Sequence, residues 1–283
     1  MTPRVRLLFA SSHPGPTVTV TVLATVMAAV SRHSVEVVAF VAVAVFAGQL
    51  SIGFANDWID ADRDRAVGRA DKPVALGKVS VAEVRAFAIG TLAVAVVLSL
   101  LLGPVAAVAH GVVVAAGWAY NAWFKRTAWS VVPFVVAFGV LPIVAIAAGG
   151  GGFPAVWTIA AGAVFGVAIH CTNVLPDLVD DAATGVQGFP HRLGAKRSGV
   201  VAFISLALAA TVVLLGQTLG NDPVRGYPVV LAVMGTSAVI VLAGVGVRLV
   251  ATGPPTRTLF RLVIAASIVL VVELGLAGTQ LIA

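Results

Sequence analysis

The sequence predicts an all-helical membrane protein whose chain crosses the bilayer about nine times. Of its 283 residues, 59% are hydrophobic and only 11% are charged, and the mean hydropathy is +1.04. A soluble domain carries roughly 25% charged residues, so this chain has too few to cover a surface that faces water. Its apolar segments are continuous rather than alternating, which favours helices over a transmembrane β-barrel.

Nine apolar segments approach the length of about 20 residues that a helix needs to cross a bilayer. In chain order they are residues 17–30, 35–55, 81–102, 104–123, 129–149, 153–175, 199–219, 227–247 and 259–282. The first is short, and only Gly103 and Pro104 separate the third from the fourth, where a tight turn or a kink is possible. We therefore expect eight to ten spans, bundled around a central chamber in one domain over residues 1–283.

The basic residues predict the orientation of the chain. All of its 18 Lys and Arg residues except Arg32 and Arg225 fall on one side of the nine-span topology, which is also the side of the amino terminus. Because cytoplasmic loops are enriched in Lys and Arg, that side is expected to face the cytoplasm, in a plasma membrane of bacterial type. The basic residues stand in short loops and form no extended patch, so the net charge of +6 does not indicate nucleic-acid binding.

The acidic residues cluster in two cytoplasmic segments, after the second and the sixth predicted spans. Orientation rules explain the basic residues but give no reason for acids to gather there. The first segment reads NDWIDADRDRAVGRADKP. Its Asn56, Asp57, Asp60 and Asp64 have the i, i+1, i+4, i+8 spacing that places side chains on one stripe of a helix. We expect that helix to be an extension of the second span.

The second acidic segment reads NVLPDLVDDAATG. Asn173, Asp177 and Asp181 stand at four-residue spacing and would share a helical face, although Pro176 is expected to loosen the helix because its nitrogen cannot donate a hydrogen bond. Two facing carboxylate stripes would repel each other unless cations lay between them. Oxygen ligands without Cys or His suit a hard ion such as Mg²⁺, which commonly completes its shell with phosphate oxygens.

Basic residues on the same side are available to bind those phosphates. The chemistry predicted is a diphosphate held by Mg²⁺ at the cytoplasmic end of an apolar cavity. One D-x-x-x-D motif alone is more often a solvated or helix-capping feature. Two such motifs, each preceded by Asn and each ending a predicted span, favour a functional site. Asp62 and Asp180 break the spacing and are expected to be solvated or locally paired.

On these motifs the sequence resembles the UbiA superfamily of intramembrane prenyltransferases. The family's first motif, N-D-x-x-D-x-x-x-D followed by Arg and a basic-Pro pair, is matched by Asn56, Asp57, Asp60, Asp64, Arg69, Lys72 and Pro73. Its second motif, D-x-x-x-D with an upstream Asn and a downstream Gly, is matched by Asn173, Asp177, Asp181 and Gly185. The Tyr and Lys that the family carries after its fourth helix are similar to Tyr120 and Lys125.

The resemblance implies a helical bundle around a lipid-accessible chamber, in which Mg²⁺ joins both motifs to the diphosphate of an isoprenyl donor. Ionisation of the allylic bond would give a carbocation for a lipophilic acceptor, expected to be aromatic and of the quinone-precursor type. The implied metal site consists of Asn56, Asp57, Asp60, Asp64, Asn173, Asp177 and Asp181, with Asp60, Asp64, Asp177 and Asp181 as its catalytic members. The implied diphosphate-binding residues are Arg69, Lys72, Tyr120 and Lys125.

Two other functions remain open at this point. A terpene cyclase of the same superfamily would share every metal residue, and only its product would differ. A secondary transporter would place acids near the bilayer midplane, whereas here they lie at the ends of spans. Pro176 stands where several quinone-forming relatives carry Arg, and the amino-terminal SHPGPT replaces their Arg-Pro start; both departures bear on the acceptor. The chain length of the donor and the oligomeric state are not indicated.

Several histidines and one acid have no motif around them. His110, His170 and Glu273 stand inside predicted spans, where ionisable residues are functional candidates by default. Because no motif accompanies them, buried packing with hydrogen bonds between helices is the favoured interpretation. His13, at the cytoplasmic edge, is expected to be solvated.

Overall fold

The computed structural model describes residues 3–178, 185–219, 227–253 and 257–283. Within them, regular secondary structure is helical apart from one isolated bridge between Pro154 and Ile282. The helices in chain order are α1 (Pro3–Ala10), α2 (Pro14–Val30), α3 (Val35–Ala66), α4 (Val81–Leu101), α5 (Pro104–Ala122), α6 (Val132–Ile146), α7 (Val156–Val174), α8 (Phe189–Leu193), α9 (Ala195–Leu219), α10 (Tyr227–Thr252) and α11 (Arg257–Ala277). Short 3₁₀ turns lie at Phe124–Arg126, Ala148–Gly150, Leu175–Asp177 and Gly278–Leu281. The predicted fold class is confirmed.

Every predicted span overlaps one of the helices α2 to α7 or α9 to α11. Among the described residues, six helices are long and apolar enough to cross a membrane, or seven if α1 and α2, bent by 71°, form one span. The helix α6 has only 15 residues, which is short of a full crossing. The protein is thus an integral membrane protein, but the expected number of nine spans is not confirmed.

The longest helix carries the first acidic motif. α3 has 32 residues, which at 1.5 Å per residue is about 48 Å, well beyond the roughly 30 Å of a bilayer's hydrocarbon core. Ser34 caps its first turn, where its hydroxyl accepts a hydrogen bond from the Val37 N–H at 3.5 Å. The last three turns therefore extend past the apolar span, as the spacing of the motif predicts.

The short connection between α4 and α5 is a turn and not a kink. α4 ends at Leu101, and α5 begins at Pro104, where a missing N–H costs nothing because the first helical turn leaves that group unpaired. Gly103 has φ +94°, a conformation that side-chain-bearing residues rarely adopt. The third and fourth predicted spans are therefore separate, adjacent helices.

Three apolar clusters hold the helices together. One joins α2, α3, α5 and α6 through residues such as Met27, Val41 and Leu141, and a second joins α7, α9, α10 and α11 through Phe165, Phe203 and Leu270. The third lies under the first motif and packs Phe54 of α3 against Val74 and Val84. Outward-facing apolar side chains such as Leu100 and Val108, both more than two thirds exposed, suit a lipid environment.

The ionisable residues inside the spans pack helices together, as the favoured interpretation predicts. His110 Nδ1 lies 2.6 Å from Ser99 Oγ, which joins α5 to α4. The Thr236 hydroxyl donates to Glu273 Oε1 at 3.1 Å, and the Gln217 side-chain amide donates to the Glu273 carbonyl at 3.3 Å. Such hydrogen bonds between helices are common in membrane proteins.

Candidate active site

Three buried carboxylates line the last turns of α3. Asp57, Asp60 and Asp64 are 2%, 1% and 2% exposed, although Asp residues are almost never fully buried unless they are paired. Neighbours on one helical face stand about 6 Å apart, and two charges at that distance repel by about 3 kcal/mol at an effective dielectric constant near 20. The burial of the three therefore requires cations close by.

Lys72 supplies one of these cations from the loop that follows α3. Its Nζ lies 3.1 Å from Asp57 Oδ1 and 2.8 Å from Asp64 Oδ2, and it donates to Asn56 Oδ1 at 3.3 Å. Burial alone would lower the pKa of Lys72, but Asp57, Asp64 and Asp60 outweigh it and raise that pKa. Lys72 therefore remains charged between two carboxylates, as a counter-ion that the motif itself provides.

Lys125 supplies a second cation from the turn after α5. The lysine is 4% exposed, and its Nζ forms an ion pair with Asp60 Oδ1. Burial lowers the pKa of Lys125 by more than the Asp60 carboxylate raises it. Its positive charge therefore depends on an anion close by, which a diphosphate group would also provide.

Two residues that the sequence does not single out also reach the carboxylates. Arg63 Nη2 lies 3.1 Å from Asp60 Oδ2 and 3.6 Å from Asp64 Oδ1. His13 Nε2 lies 3.0 Å from Asp57 Oδ1, so the expectation that His13 is merely solvated is wrong. In the sequence Arg63 is one of several arginines in the first acidic segment, and His13 is 44 residues from its partner; neither position carries a local signal.

The corner between α1 and α2 brings His13 to the site. His13 has a left-handed conformation, φ 53° and ψ 65°, and Pro14 begins α2 directly after it. The corner packs tightly on α3, because a Cβ at Gly53 would lie only 2.1 Å from the Ser12 carbonyl oxygen. Glycine at position 53 thus allows the corner to approach α3 one turn before Asp57.

Asn56 belongs to a hydrogen-bonded link between α3 and α5. Its Nδ2 donates to Asn121 Oδ1 at 3.1 Å, and Asn121 Nδ2 donates in turn to the Ile52 carbonyl at 2.9 Å. Asn56 Oδ1 faces Lys72. The link orients the Asn56 side chain toward the carboxylates, and Asn121 is a further residue that spacing alone does not predict.

The remaining predicted diphosphate residues have other neighbours. Arg69 binds Asp71 through two hydrogen bonds of 2.9 Å, and this guanidinium lowers the pKa of the Asp71 carboxyl to about 2. Tyr120 packs edge-on against Phe134, with ring centroids 5.0 Å apart, and against His170 at 5.7 Å. The structure therefore groups Lys72 and Lys125 with the carboxylates, whereas Arg69 pairs with Asp71 and Tyr120 belongs to an aromatic cluster.

The second motif begins where α7 breaks. α7 ends at Val174, and the 3₁₀ turn Leu175–Asp177 follows, because Pro176 cannot continue the helical hydrogen bonding. The exposed Asn173 is thus in α7 and Asp177 is in the 3₁₀ turn, so the shared helical face of Asn173, Asp177 and Asp181 stays a prediction. Asp180, Asp181 and the side chain of Asp177 lie outside the described residues.

The oxygen atoms that the first motif offers are of the kind that a hard divalent ion prefers. The motif offers the oxygens of three buried carboxylates and of the partly buried Asn56 amide, which are the donor atoms that such an ion prefers. Among the described residues, however, no group of three or more His, Cys, Asp and Glu side chains could hold a metal ion by itself. A complete ion site therefore needs ligands from beyond the first motif.

The fold and the site together define a class of protein. It is a helical membrane protein that buries a cluster of carboxylates and lysines at the end of one helix. The model of the UbiA prenyltransferase family matches residues 17–262. The chain therefore belongs to this family, and it is an enzyme, a prenyltransferase, as the motifs indicate.

Named relatives agree with this assignment. The chain is 29% identical to the digeranylgeranylglyceryl phosphate synthase of Methanopyrus kandleri over 216 residues, which are 72% of this chain and 73% of that protein. Among solved structures, a UbiA homologue from Archaeoglobus fulgidus bound to GPP and Mg²⁺ has a TM-score of 0.71 at 14% identity, covering 96% of this chain and 99% of that one. The apo structure of a UbiA homologue from Aeropyrum pernix K1 has a TM-score of 0.72 at 20% identity, covering 92% and 96%. At these identities the likeness of the structures shows the fold.

Proposed function

We propose that this chain transfers an isoprenyl group from its diphosphate to a lipophilic acceptor in a reaction that requires Mg²⁺. The observation that carries the proposal is the burial of Asp57, Asp60 and Asp64 in direct contact with Lys72 and Lys125. Such a cluster is costly to bury and contributes little to stability that apolar residues could not supply. A buried cluster of this charge therefore points to binding of an ionic ligand. Solved homologues bound to GPP or DMAPP together with Mg²⁺ support the same ligand pair.

In this proposal both motifs hold the metal. The ligands would be Asn56, Asp57, Asp60 and Asp64 on α3 and Asn173, Asp177 and Asp181 on the second segment. When bound, Mg²⁺ would supply positive charge that stabilises the negative charge developing on the leaving diphosphate. The first motif is already desolvated and oriented, so its carboxylates need little rearrangement to act as ligands.

The basic residues of the cluster would then change partners. Asp57, Asp60 and Asp64 are at present neutralised by Lys72, Lys125 and Arg63. Once these carboxylates bind a divalent ion, the ammonium and guanidinium groups become available to the diphosphate oxygens. We propose Lys72 and Lys125 as the main diphosphate ligands, with Arg69 and Tyr120 as further ones.

Apolar and aromatic surroundings would protect the reactive intermediate. Heterolysis of the allylic C–O bond leaves its electron pair on the diphosphate and a carbocation on the isoprenyl group, which water would quench. Tyr120 lies on α5 five residues before Lys125, and its ring contacts Phe134 and His170. We propose that this cluster excludes water from the membrane side of the site and that its π-faces stabilise the cation.

The acceptor has two candidate classes. The first is the aromatic, quinone-precursor-like acceptor that the family resemblance implies, in which the new bond replaces a ring C–H and releases a proton; Pro176 and the amino-terminal SHPGPT depart from relatives that use it. The relative from Methanopyrus is named for a glyceryl phosphate lipid, which favours a glycerol hydroxyl as the second candidate. In either case the acceptor atom, a ring carbon or a hydroxyl oxygen, loses one proton when it forms the new bond to the isoprenyl carbon.

The basic residues support an orientation with the motif end of α3 and the amino terminus on the cytoplasmic side. The distribution of Lys and Arg along the chain, which predicts the orientation, places Lys72, Lys125 and Arg63 on that side. A reporter enzyme active only outside the cytoplasm, fused at residue 1, is expected to be inactive.

Pyrophosphate release by the purified protein in nanodiscs tests the proposal. Geranyl, farnesyl and longer diphosphates would be supplied with Mg²⁺ or EDTA, with or without aromatic and glyceryl phosphate acceptors, and products identified by mass spectrometry. We expect release that needs both Mg²⁺ and an acceptor and that yields a prenylated adduct of one acceptor class. Release without acceptor, giving a cyclic product, would replace the transferase by a terpene cyclase. No release with any donor would contradict the proposal.

A further inference from the structure

A pair of side-chain amides between α3 and α5 has one orientation that satisfies its partners. Asn56 Nδ2 donates to Asn121 Oδ1 at 3.1 Å, and Asn121 Nδ2 donates to the Ile52 carbonyl at 2.9 Å. At the other end of the pair, Lys72 Nζ donates to Asn56 Oδ1 at 3.3 Å. An ammonium group can only donate and a carbonyl group can only accept. Turning over either amide would therefore place two donors or two acceptors against each other.

This orientation directs the amide oxygen of Asn56 at the carboxylate cluster. Lys72 also contacts Asp57 and Asp64, so Asn56 Oδ1 shares one ammonium group with two carboxylates. The atom that faces the cation is thus an oxygen, the donor that a hard divalent ion prefers. If the amide were turned over, its NH₂ group would face the cation and could not act as a ligand.

Lys72 holds this orientation only while it stays among the carboxylates. In the proposed reaction its ammonium group leaves them for the diphosphate. The hydrogen bond from Asn56 to Asn121 then becomes the contact that keeps the Asn56 amide oriented. Asn121 is 3% exposed, and its own amide is fixed by the Ile52 carbonyl, so this contact does not depend on the position of the lysine.

Close packing of α5 on α3 keeps Asn121 in place. Gly117 lies one turn before Asn121 on α5, and a Cβ at this glycine would lie 2.6 Å from Ile52 Cδ1. A Cβ at Gly48 of α3 would likewise lie 2.6 Å from His110 Nε2 of α5. Small residues of this kind let two helices in a membrane approach closely. The amide at position 121 therefore has little freedom to move away from α3.

We infer that Asn121 is a positioning residue that keeps the oxygen of Asn56 turned toward the metal ion. The inference rests on the proposed function, in which Asn56 is a metal ligand. Outer groups that orient metal ligands are typically worth 10-fold to 100-fold in metal affinity. Without the Asn121 amide, the Asn56 side chain rotates freely once Lys72 departs. The site then loses one oriented ligand while its carboxylates stay in place.

The test compares Asn121→Leu with Ser51→Ala in the full-length protein. Leucine has the branched shape of asparagine but no hydrogen-bonding groups. Ser51→Ala is the matched control, because it removes another hydrogen bond between the same two helices, from Trp118 Nε1 to Ser51 Oγ at 2.9 Å. The measurements are Mn²⁺ binding without substrate by electron paramagnetic resonance, the Mg²⁺ concentration for half-maximal turnover, and the Tm as a check of folding.

For Asn121→Leu we expect roughly tenfold weaker Mn²⁺ binding and a correspondingly higher Mg²⁺ requirement. Ser51→Ala should bind Mn²⁺ as the wild type does. Wild-type Mn²⁺ affinity in a folded Asn121→Leu variant would overturn the inference. Equal weakening in Ser51→Ala would also overturn it, because the effect would then come from helix packing. If Asn121→Leu does not fold, Asn121→Ala replaces it, with the same expected and contradicting results.

A double variant tests whether Asn121 acts through Asn56. Added to Asn56→Ala, the change Asn121→Leu should cause no further loss of Mn²⁺ affinity, because the two residues act as one unit. A further tenfold loss would overturn the inference. Asp60→Asn distinguishes this inference from the proposed function. Unchanged Mn²⁺ binding and turnover in Asp60→Asn would refute the proposed function, whereas weakened binding there beside wild-type binding in Asn121→Leu would refute only the role of Asn121.

Discussion

The two acidic motifs are built in opposite ways. The first lies on the last turns of an unbroken 32-residue helix, and its carboxylates are buried and paired with Arg63 of the same helix and with Lys72 and Lys125 from two other segments. The second follows a helix that ends at Val174, and its Asn173 is exposed. The comparison shows that the carboxylates of the first motif are held in place by cations of the chain itself, whereas the helix that begins the second motif ends before its first Asp.

The largest effect is expected from Asp60→Asn. The change removes the charge of a proposed metal ligand, and with it the carboxylate that Lys125 and Arg63 share. We expect a loss of at least about 10³-fold in turnover, the scale on which loss of a preorganised charge-stabilising group acts. The matched control is Asp62→Asn on the same helix, whose side chain is 98% exposed and paired only with Arg65 among its described partners. Equal activity of Asp60→Asn and Asp62→Asn would contradict the claim that the buried carboxylates of the first motif act in the reaction.

Lys72→Met should give the next largest effect. It removes the cation between Asp57 and Asp64, and with it a proposed diphosphate ligand. We expect a rise in KM for the donor and a fall in turnover of roughly 10²-fold, with a lower Tm because two buried carboxylates lose their counter-ion. Lys78→Met, an exposed position of the same loop, is the control for both measurements. Unchanged kinetics with a lowered Tm would restrict Lys72 to a structural role.

Pro176→Ala sharpens the contrast between the two motifs. Without proline the helical hydrogen bonding of α7 could continue past Val174, so the 3₁₀ turn that carries Asp177 would become α-helical. We expect about a tenfold change in the Mg²⁺ concentration for half-maximal turnover, the size typical of outer groups that orient metal ligands. Circular dichroism should show a small gain in helix. A gain in helix with unchanged Mg²⁺ dependence would mean that the break is not needed for function.

His13→Asn should have the smallest effect. Asn tolerates the left-handed conformation of this corner, so the change removes the contact with Asp57 but keeps the bend. Because Lys72 still neutralises Asp57, we expect turnover within about fivefold of the wild type, which corresponds to about 1 kcal/mol. A loss as large as that of Lys72→Met would show that His13 contacts a substrate.

Much of the helical layout was predictable because it depends on local properties. Apolar length indicates each span, Gly103 and Pro104 mark a helix boundary, and the spacing of Asp57, Asp60 and Asp64 predicts one stripe on an extended helix. The number of full membrane crossings was not predictable from apolar length and spacing. The 15 residues of α6 and the 71° bend between α1 and α2 depend on how neighbouring helices pack.

Composition, periodicity and spacing were enough to predict the class of protein, the two motifs and the oxygen chemistry of their proposed metal ligands, because these are properties of neighbouring residues. Which cation meets which carboxylate depends instead on the packing of the helices. His13 and Lys125 reach Asp57 and Asp60 across 44 and 65 residues of chain, and Ser130 meets His170 and Phe189 across 40 and 59. Such contacts follow from the packing of whole helices, and no local pattern in the chain specifies them.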